Sequence, residues 1–207
     1  MEQKPLERGA TTRRRRADAE RSIDAILDAA LESIRADGEL NMTGVARKAG
    51  VSRVTLYAHF PTRDAVLTAA LNRALQLVDA ALQDADLTSG PAPQALSRLL
   101  HSSWPLLARQ RNLFTVASRA LSPAQLRTFH QPVMGSIAEL IARGQADGDF
   151  RTDMPRDWLV TTIYTLLHLA AEELNAGRLT ADKAGFVASA SIQSLLTGGR
   201  EAKKDSD

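Results

Sequence analysis

The stretch GVSRVTLYAHFPTR, residues 50–63, concentrates positive charge and hydrogen-bond donors and contains no acidic side chain. It holds one of the two tyrosines and one of the four histidines of a 207-residue chain, as Tyr57 and His59, close to Arg53 and Arg63. The arginine fork matches the paired acceptors of guanine or of a phosphate group, and tyrosine and histidine donate to phosphate oxygens. These residue types indicate non-covalent recognition of a nucleic acid.

Two short helices around a glycine turn are predicted to position these side chains. Asn41 caps a helix over 42–49, Gly50 breaks it, and Ser52 caps a second helix over 53–59. A small alanine four residues before the glycine permits the two helices to cross closely. This arrangement predicts a helix-turn-helix, whose second helix lies in a DNA major groove.

The second short helix has distinct roles for its outward residues. Turning about 100° per residue from an inward Leu56 leaves the other positions on the sides and the outer face. Arg53 is near the helix N-terminus and is expected to contact guanine, while the methyl groups of Val54 and Thr55 suit a thymine methyl. The residues expected to contact phosphates are Ser52, Tyr57, His59 and Arg63. The alternative for this pattern is a helical hairpin with a solvated basic face.

Positive charge lies in two separate N-terminal patches. Residues 1–16 hold six basic and two acidic side chains, and residues 41–63 hold four basic and none acidic. The run Arg14, Arg15 and Arg16 is expected to lie in a flexible basic arm, residues 1–17, that enters the minor groove or follows the phosphates. A solvated tail is the alternative for the arm.

Composition limits the fold and the compartment. An apolar content of 44% is enough to bury a core, and few aromatic residues with abundant alanine and leucine favour helix, so we expect an all-α protein. The chain has no cysteine, which excludes disulfides, a thiolate nucleophile and a zinc finger. No apolar stretch has the length of a membrane span, so a cytoplasmic protein without membrane contact is expected.

Apolar residues recur at spacings of three and four along most of the chain and predict further helices. These are expected at 18–36, 62–86, 94–104, 106–120, 123–147, 155–175 and 181–196. Thr62 is the expected cap of the helix that follows the turn region, and Pro105 marks an expected helix end. The predicted domains are the basic arm, a helix-turn-helix domain at 18–73, a larger helical domain at 74–198 and a polar tail at 199–207.

The sequence gives little support to catalysis or metal binding. No two of the four histidines are spaced as i and i+4, and no cysteine assists them. Nucleophile-elbow, phosphate-loop and dinucleotide-binding glycine patterns do not occur. We therefore expect no catalytic residue, no metal and no cofactor, with an all-α enzyme of unrecognised site as the alternative.

Four motifs together resemble the tetracycline-repressor (TetR) family of transcriptional regulators. They are AILDAALESIRADG (25–38), VARKAGVS (45–52), TLYAHF (55–60) and PTRDAVL (61–67), which cover most of residues 20–70. The resemblance implies a three-helix DNA-binding head, a larger all-α ligand domain and a homodimer. By position it carries DNA contact to Thr55, Tyr57, His59, Arg63 and Thr43, and variable base specificity to Arg53 and Val54.

A small-molecule effector is expected among the middle helices, in a mostly apolar pocket with a few polar groups. The candidates for lining it are Trp104, Phe114, Arg119, His130, Met134, Trp158, Tyr164 and His168. Each also has a simpler explanation, as a core side chain for the aromatic residues and His168, or as a solvated charge for Arg119.

The last two helices are expected to form the dimer interface. Ala184, Ala188 and Ser191 are small enough to allow close packing against a symmetry mate, beside Val187 and Ile192. The alternative is burial of these residues within one protomer.

The function expected from these features is a ligand-responsive, DNA-binding regulator, a homodimeric repressor that releases a near-palindromic operator when a small molecule binds. Two other classes fit the same composition. One is a helical adaptor whose basic face binds an acidic protein, and the other is the all-α enzyme.

Overall fold

The computed structural model describes the backbone of residues 6–198 and the side chains of residues 15–198. Within this range it contains helices and no strand, which confirms the all-α expectation. The helices are α1 (Leu6–Asp37), α2 (Met42–Lys48), α3 (Arg53–His59), α4 (Arg63–Asp84), α5 (Ala92–Arg109), α6 (Arg111–Ala120), α7 (Pro123–Ala146), α8 (Arg156–Asn175) and α9 (Ala181–Thr197). The predicted polar tail, 199–207, and the side chain of Arg14 lie outside the described residues.

Contacts divide the chain after Arg73 into two compact units. The first unit contains α1, α2, α3 and the start of α4, and α2 packs against both α1 and α3. Apolar residues spaced by three and four along α1 and the start of α4 form a stripe on each helix. Both stripes are buried in the core of this unit. The buried residues include Ile26, Ala30, Ile34, Val66, Leu67, Ala70 and Leu71, together with Val45 and Leu56 from the short helices.

The short helices begin and end at the predicted residues because local hydrogen bonds fix them. The Asn41 side-chain oxygen accepts from the backbone N–H groups of Thr43 and Gly44, at 3.0 and 3.2 Å. The Ser52 hydroxyl accepts from the N–H of Thr55 at 3.0 Å. Gly50 between the helices has a φ of +67°, a conformation that favours glycine.

Helix α1 begins much earlier than the sequence pattern predicts. The structure places its start at Leu6, so residues 6–17 of the expected flexible arm are helical. The apolar stripe indicated a start at residue 18, but helix propensity extends further: the arginines at 13–16 and Ala17 are strong helix formers that continue the helix backwards from the stripe. The arginine run is therefore an extension of α1.

Helix α5 continues through Pro105, where a helix end was expected. Proline removes one hydrogen bond, to the carbonyl four residues earlier. That carbonyl belongs to His101, which is exposed, whereas Leu96, Leu99 and Leu100 of the same helix are buried. The helix is retained because packing of its apolar face outweighs the loss of a single bond on the solvent side.

Helix α8 is the centre of the second unit and packs against α5, α6, α7 and α9. Its apolar stripe is buried at Leu159, Ile163, Leu167 and Ala170. Residues from the flanking helices complete one continuous core, among them Leu96, Leu99, Ile137, Leu140, Ile141, Ala184, Ala188, Ile192 and Leu196.

One helix within residues 6–198, α4, has the length and mean hydropathy of a membrane span. A core helix passes the same test. One third of its apolar window, including Val66, Leu67 and Ala70, is buried inside the protein.

Replacing Gly144 with Ala is expected to destabilise the second unit by about 1–3 kcal/mol. A methyl group at Gly144 would overlap the Phe150 ring, and Phe150 is itself buried and cannot move freely. Gly135, in the same helix, has no atom within 4 Å of that position. Gly135→Ala is therefore the matched control, expected to raise stability slightly through helix propensity. Urea denaturation measures both variants, and equal stability of the two would contradict the prediction.

Candidate nucleic-acid interface and effector cavity

Helix α3 presents a polar and basic face on one side and a single anchor on the other. Leu56 is fully buried, whereas Arg53, Val54 and Tyr57 are exposed. Val54 is 80% exposed. Exposure of this apolar side chain does not stabilise the fold. A methyl-bearing side chain held outward beside an arginine suits contact with base edges in a groove.

Thr55 and His59 lie at the sides of this face and are partly buried. The hydroxyl groups of Thr55 and Ser52 are 2.8 Å apart and share a hydrogen bond, which orders both at the N-terminus of α3. Thr43, at the start of α2, is exposed. The DNA-contact residues expected in residues 41–63 are thus all at least partly accessible.

The same surface is positively charged. Arg47, Lys48, Arg53 and Arg63 are exposed, and residues 41–63 contain no acid to pair with them. Arg15 and Arg16 are exposed on α1 as well. Unpaired surface cations of this kind attract a polyanion and release its counterions on binding.

Arg63 has a structural role that the sequence did not indicate. Its Nε–H donates to the backbone carbonyl of Leu40 at 3.1 Å, which links the start of α4 to the segment before α2. The side chain remains exposed, so its terminal N–H groups are accessible to a phosphate. Replacing Arg63 therefore changes both the fold of the first unit and its charge.

The second unit encloses a cavity between α4, α5, α7 and α8, with about 50 Å³ of space for the centres of water molecules. Apolar side chains dominate its surface, and no charged residue lines it. The lining residues are Leu75, Val78, Leu82, Leu99, Ser103, Leu107, His130, Val133, Met134, Ile137, Tyr164, Leu167 and His168.

Four rings cluster at this cavity, from α6, α7 and α8. The ring centre of His168 lies 4.0 Å from that of Phe114 and 4.2 Å from that of Tyr164. His130 lies 4.9 Å from Tyr164 and 5.5 Å from His168. Three of the rings, His130, Tyr164 and His168, line the cavity directly.

Backbone hydrogen bonds fix the tautomer of both histidines. Nδ1 of His130 lies 2.8 Å from the carbonyl oxygen of Leu126, and Nδ1 of His168 lies 2.9 Å from that of Tyr164. A carbonyl oxygen only accepts, so each Nδ1 carries the proton and donates it. Each Nε2 is then an acceptor.

Burial keeps all three polar rings uncharged at neutral pH. Loss of hydration, with a smaller contribution from nearby His130, lowers the pKa of His168 to about 4. Burial also lowers the pKa of His130 and raises that of Tyr164 to about 12. The cavity therefore offers neutral hydrogen-bonding groups in an apolar wall.

Three of the other candidates for the pocket, Trp104, Arg119 and Trp158, lie away from it. Trp104 packs against Gly185, and its Nε1–H donates to the carbonyl of Ala181 at 3.0 Å. Arg119 and Trp158 are exposed. Phe114 touches the ring cluster, and Met134 lines the cavity with the histidines and Tyr164.

Acid is expected to weaken the fold through His168. The unfolded state has the ordinary pKa of about 6.5, so it binds more protons than the folded state as the pH falls from 6.5 towards 4. The free energy of unfolding should decrease by about 3 kcal/mol across this window through His168 and stay level above it. Urea titrations at each pH measure the slope. His168→Phe should reduce it, with His130 contributing part of what remains, whereas His101→Phe, at an exposed site, should not; an unchanged slope in His168→Phe would contradict this assignment.

Helices α8 and α9 are joined by a short turn as an antiparallel hairpin, and large apolar side chains are exposed on both of them. Phe186 is 73% exposed and Leu169 is 47% exposed, at similar distances from the turn, and Val187 is also exposed. The small residues expected at a dimer interface, Ala184 and Ala188, are instead buried within the protomer. They face inward because they share a helical stripe with Ile192 and Leu196, which fill the core.

Comparison with known proteins identifies the first unit. A family model described as bacterial regulatory proteins of the tetR family matches residues 26–70, which span α2, α3 and parts of α1 and α4. The HTH-type transcriptional repressor LfrR of Mycolicibacterium smegmatis is 28% identical over 158 residues, covering 76% of this chain and 82% of LfrR.

Solved structures resemble the whole fold. The TetR-like transcriptional regulator LfrR from Mycobacterium smegmatis, in complex with proflavine, superposes with a TM-score of 0.68 at 26% identity, covering 86% of this chain and 97% of that one. The fatty acid degradation regulator FadR from Bacillus halodurans gives 0.72 at 20% identity, covering 86% and 96%. With a helix-turn-helix that matches this family model and a helical second unit, the chain is similar in sequence and fold to TetR-family bacterial transcriptional regulators.

Proposed function

We propose that this regulator is a cytoplasmic homodimeric repressor that binds a near-palindromic operator through α3 and releases it when a small molecule occupies the cavity of the second unit. The observation that carries the proposal is the exposed face of α3, where Arg53, Val54 and Tyr57 stand outward in a surface without acids. The similarity to LfrR, a named repressor, supports the same direction of control.

Different residues of this surface would contact bases and phosphates. Arg53 and Val54 are the most suitable for base edges, because they lie at the N-terminal end of α3 and point outward. Tyr57, Thr43 and the terminal N–H groups of Arg63 flank them and would hold phosphates. Sequence preference would then depend on two side chains, and affinity on many.

A second copy of the chain would cover the apolar surface of the α8–α9 hairpin. Leu169, Phe186 and Val187 are large exposed apolar residues on adjoining helices, a feature that marks association surfaces. Pairing of identical surfaces gives two-fold symmetry. Two heads about 34–36 Å apart would then reach successive major grooves and favour a near-palindrome.

Helix α4 contains residues of both the effector cavity and the DNA-binding unit. It carries Arg63 at its first residue and contributes Leu75, Val78 and Leu82 to the cavity wall. A ligand that displaces these side chains would act on the helix that holds Arg63. Release of DNA then requires that the ligand bind the DNA-free state more tightly than the DNA-bound state. LfrR has been solved in complex with proflavine, which supports a small molecule as the effector.

Fluorescence anisotropy with the DNA upstream of the gene for this chain tests the proposal. We expect saturable binding by two protomers per site, at least 100-fold tighter than binding to a shuffled duplex at the same salt concentration. Absence of DNA binding at low salt, or equal affinity for both duplexes, would contradict it. Binding of an acidic protein in place of DNA would favour the adaptor.

A further inference from the structure

We propose that the effector is an uncharged, largely apolar molecule carrying an N–H or O–H group, which His130 and His168 recognise by accepting its hydrogen through Nε2. This inference rests on the proposed function, because it takes the cavity of the second unit as the effector site. It adds the chemical class of the ligand and the two residues that select it.

The wall of the cavity disfavours an ion of either sign. None of its lining residues is Asp, Glu, Lys or Arg, and its polar atoms belong to two histidines, Tyr164 and Ser103. The Ser103 hydroxyl already donates to the Leu99 carbonyl at 2.7 Å. Moving an ion from water into such a wall loses its hydration without supplying an opposite charge. An uncharged ligand avoids that loss.

The histidines provide acceptors where a donor-bearing ligand needs them. Each Nδ1–H is held by a backbone carbonyl, so neither ring can turn its donor towards the ligand without breaking that bond. Within residues 15–198, neither Nε2 nor the Tyr164 hydroxyl has a hydrogen-bond partner. A site built to satisfy a ligand N–H or O–H discriminates strongly against an analogue that lacks it.

Entry of a ligand requires the wall of the cavity to move. The His130, Tyr164 and His168 rings pack against one another, with centres 4.2–5.5 Å apart, and the space beside them, about 50 Å³, is smaller than an aromatic ligand. Met134 lines this cavity and also an open groove between α7 and α8, where Thr128 and Asp157 lie. Its flexible thioether side chain is the one we expect to move when a ligand enters.

Calorimetry with a matched naphthalene series tests the ligand class without DNA. The probes are 2-naphthol, the nearly isosteric 2-methylnaphthalene, 2-naphthoate and 2-naphthylmethylammonium, at pH 7.5. We expect 2-naphthol to bind at least threefold tighter than 2-methylnaphthalene and at least tenfold tighter than either ion. Tighter binding of an ion, an equal or reversed order for the first pair, or no binding by any probe would overturn the proposal.

Variants assign the selectivity to the histidines. In the double variant His130→Phe, His168→Phe, 2-methylnaphthalene should bind more tightly than 2-naphthol, because neither histidine acceptor remains, and each single variant should reduce the preference for 2-naphthol. His101→Phe, exposed on α5, is the control and should keep the order of the unmodified protein. An unchanged order in the double variant would overturn the role of the two histidines.

Nitrogen NMR of the unmodified protein provides a reading that does not depend on how a variant folds. The Nε2 signals of His130 and His168 should move upfield when 2-naphthol binds and stay in place with 2-methylnaphthalene. Equal movement with both probes would overturn the proposal. Because these measurements contain no DNA, failure of the regulator to bind an operator would leave them intact, and failure of the probes would leave operator binding intact.

Discussion

Phe186→Asp is expected to convert the dimer to monomers and to weaken operator binding by about 10²–10⁴-fold, the usual gain from joining two binding modules. Phe186 is the most exposed large apolar residue of α9, and Leu169 of α8 lies near it on the hairpin. In the proposed interface an aspartate would be desolvated without a partner, which opposes association. In the monomer it would face water, so the fold of each protomer should be unaffected.

Sedimentation velocity and anisotropy on the same samples measure the two effects. Leu77→Asp is the matched control, because Leu77 is also an exposed apolar residue but lies on α4, outside the hairpin. It should remain a dimer. A dimeric Phe186→Asp would contradict the assignment of the interface, and a monomer that binds the operator with unchanged affinity would contradict the need for two heads.

Features set by neighbouring residues could be predicted from the sequence. The short helices begin and end where they do because of Asn41, Ser52 and Gly50. Each of these residues affects only the backbone of its close neighbours in the sequence. The residues of α3 could be assigned to faces for the same reason, since one buried leucine fixes the rotation of a seven-residue helix. Local chemistry was sufficient for the candidate DNA-binding surface.

Features set by distant packing could not be predicted. Pro105 is a helix breaker in isolation, and only the buried leucines of α5 retain the helix around it. The small residues of α9 suited either an internal core or a dimer interface, and the choice depends on where α8 lies. Neither the continuation of α5 through Pro105 nor the inward face of α9 can be read from the sequence of one helix.

The residues that line the cavity could be predicted only in part, for the same reason. His130, Tyr164 and His168 could be singled out because polar rings among leucines are uncommon, yet Trp104 and Trp158 met the same criterion and lie elsewhere. The leucines and valines of the wall come from four helices and have no distinguishing pattern in the sequence. Tertiary structure alone separates a lining leucine from an ordinary core leucine.

Arg53→Glu is expected to weaken operator binding by about 10²–10³-fold, because each head loses a contact worth about 1–3 kcal/mol and gains repulsion from phosphates. Arg53 is exposed at the first position of α3, and none of its hydrogen bonds or ion pairs within residues 15–198 holds the fold together. The variant should therefore fold and dimerise normally. Anisotropy with the upstream duplex and with its shuffled counterpart measures the loss.

A charge change elsewhere separates base recognition from overall electrostatics. Arg109→Glu makes the same change in net charge at an exposed position of α5 in the second unit, and it should lower operator affinity by less than threefold. Arg53→Ala should reduce the preference for the operator over shuffled DNA, since the arginine that discriminates guanine is gone while most phosphate contacts remain. Equal losses of operator affinity in Arg53→Glu and Arg109→Glu would contradict a place for α3 in the major groove. A contact with a base edge depends on the position of the side chain, whereas an effect of net charge does not.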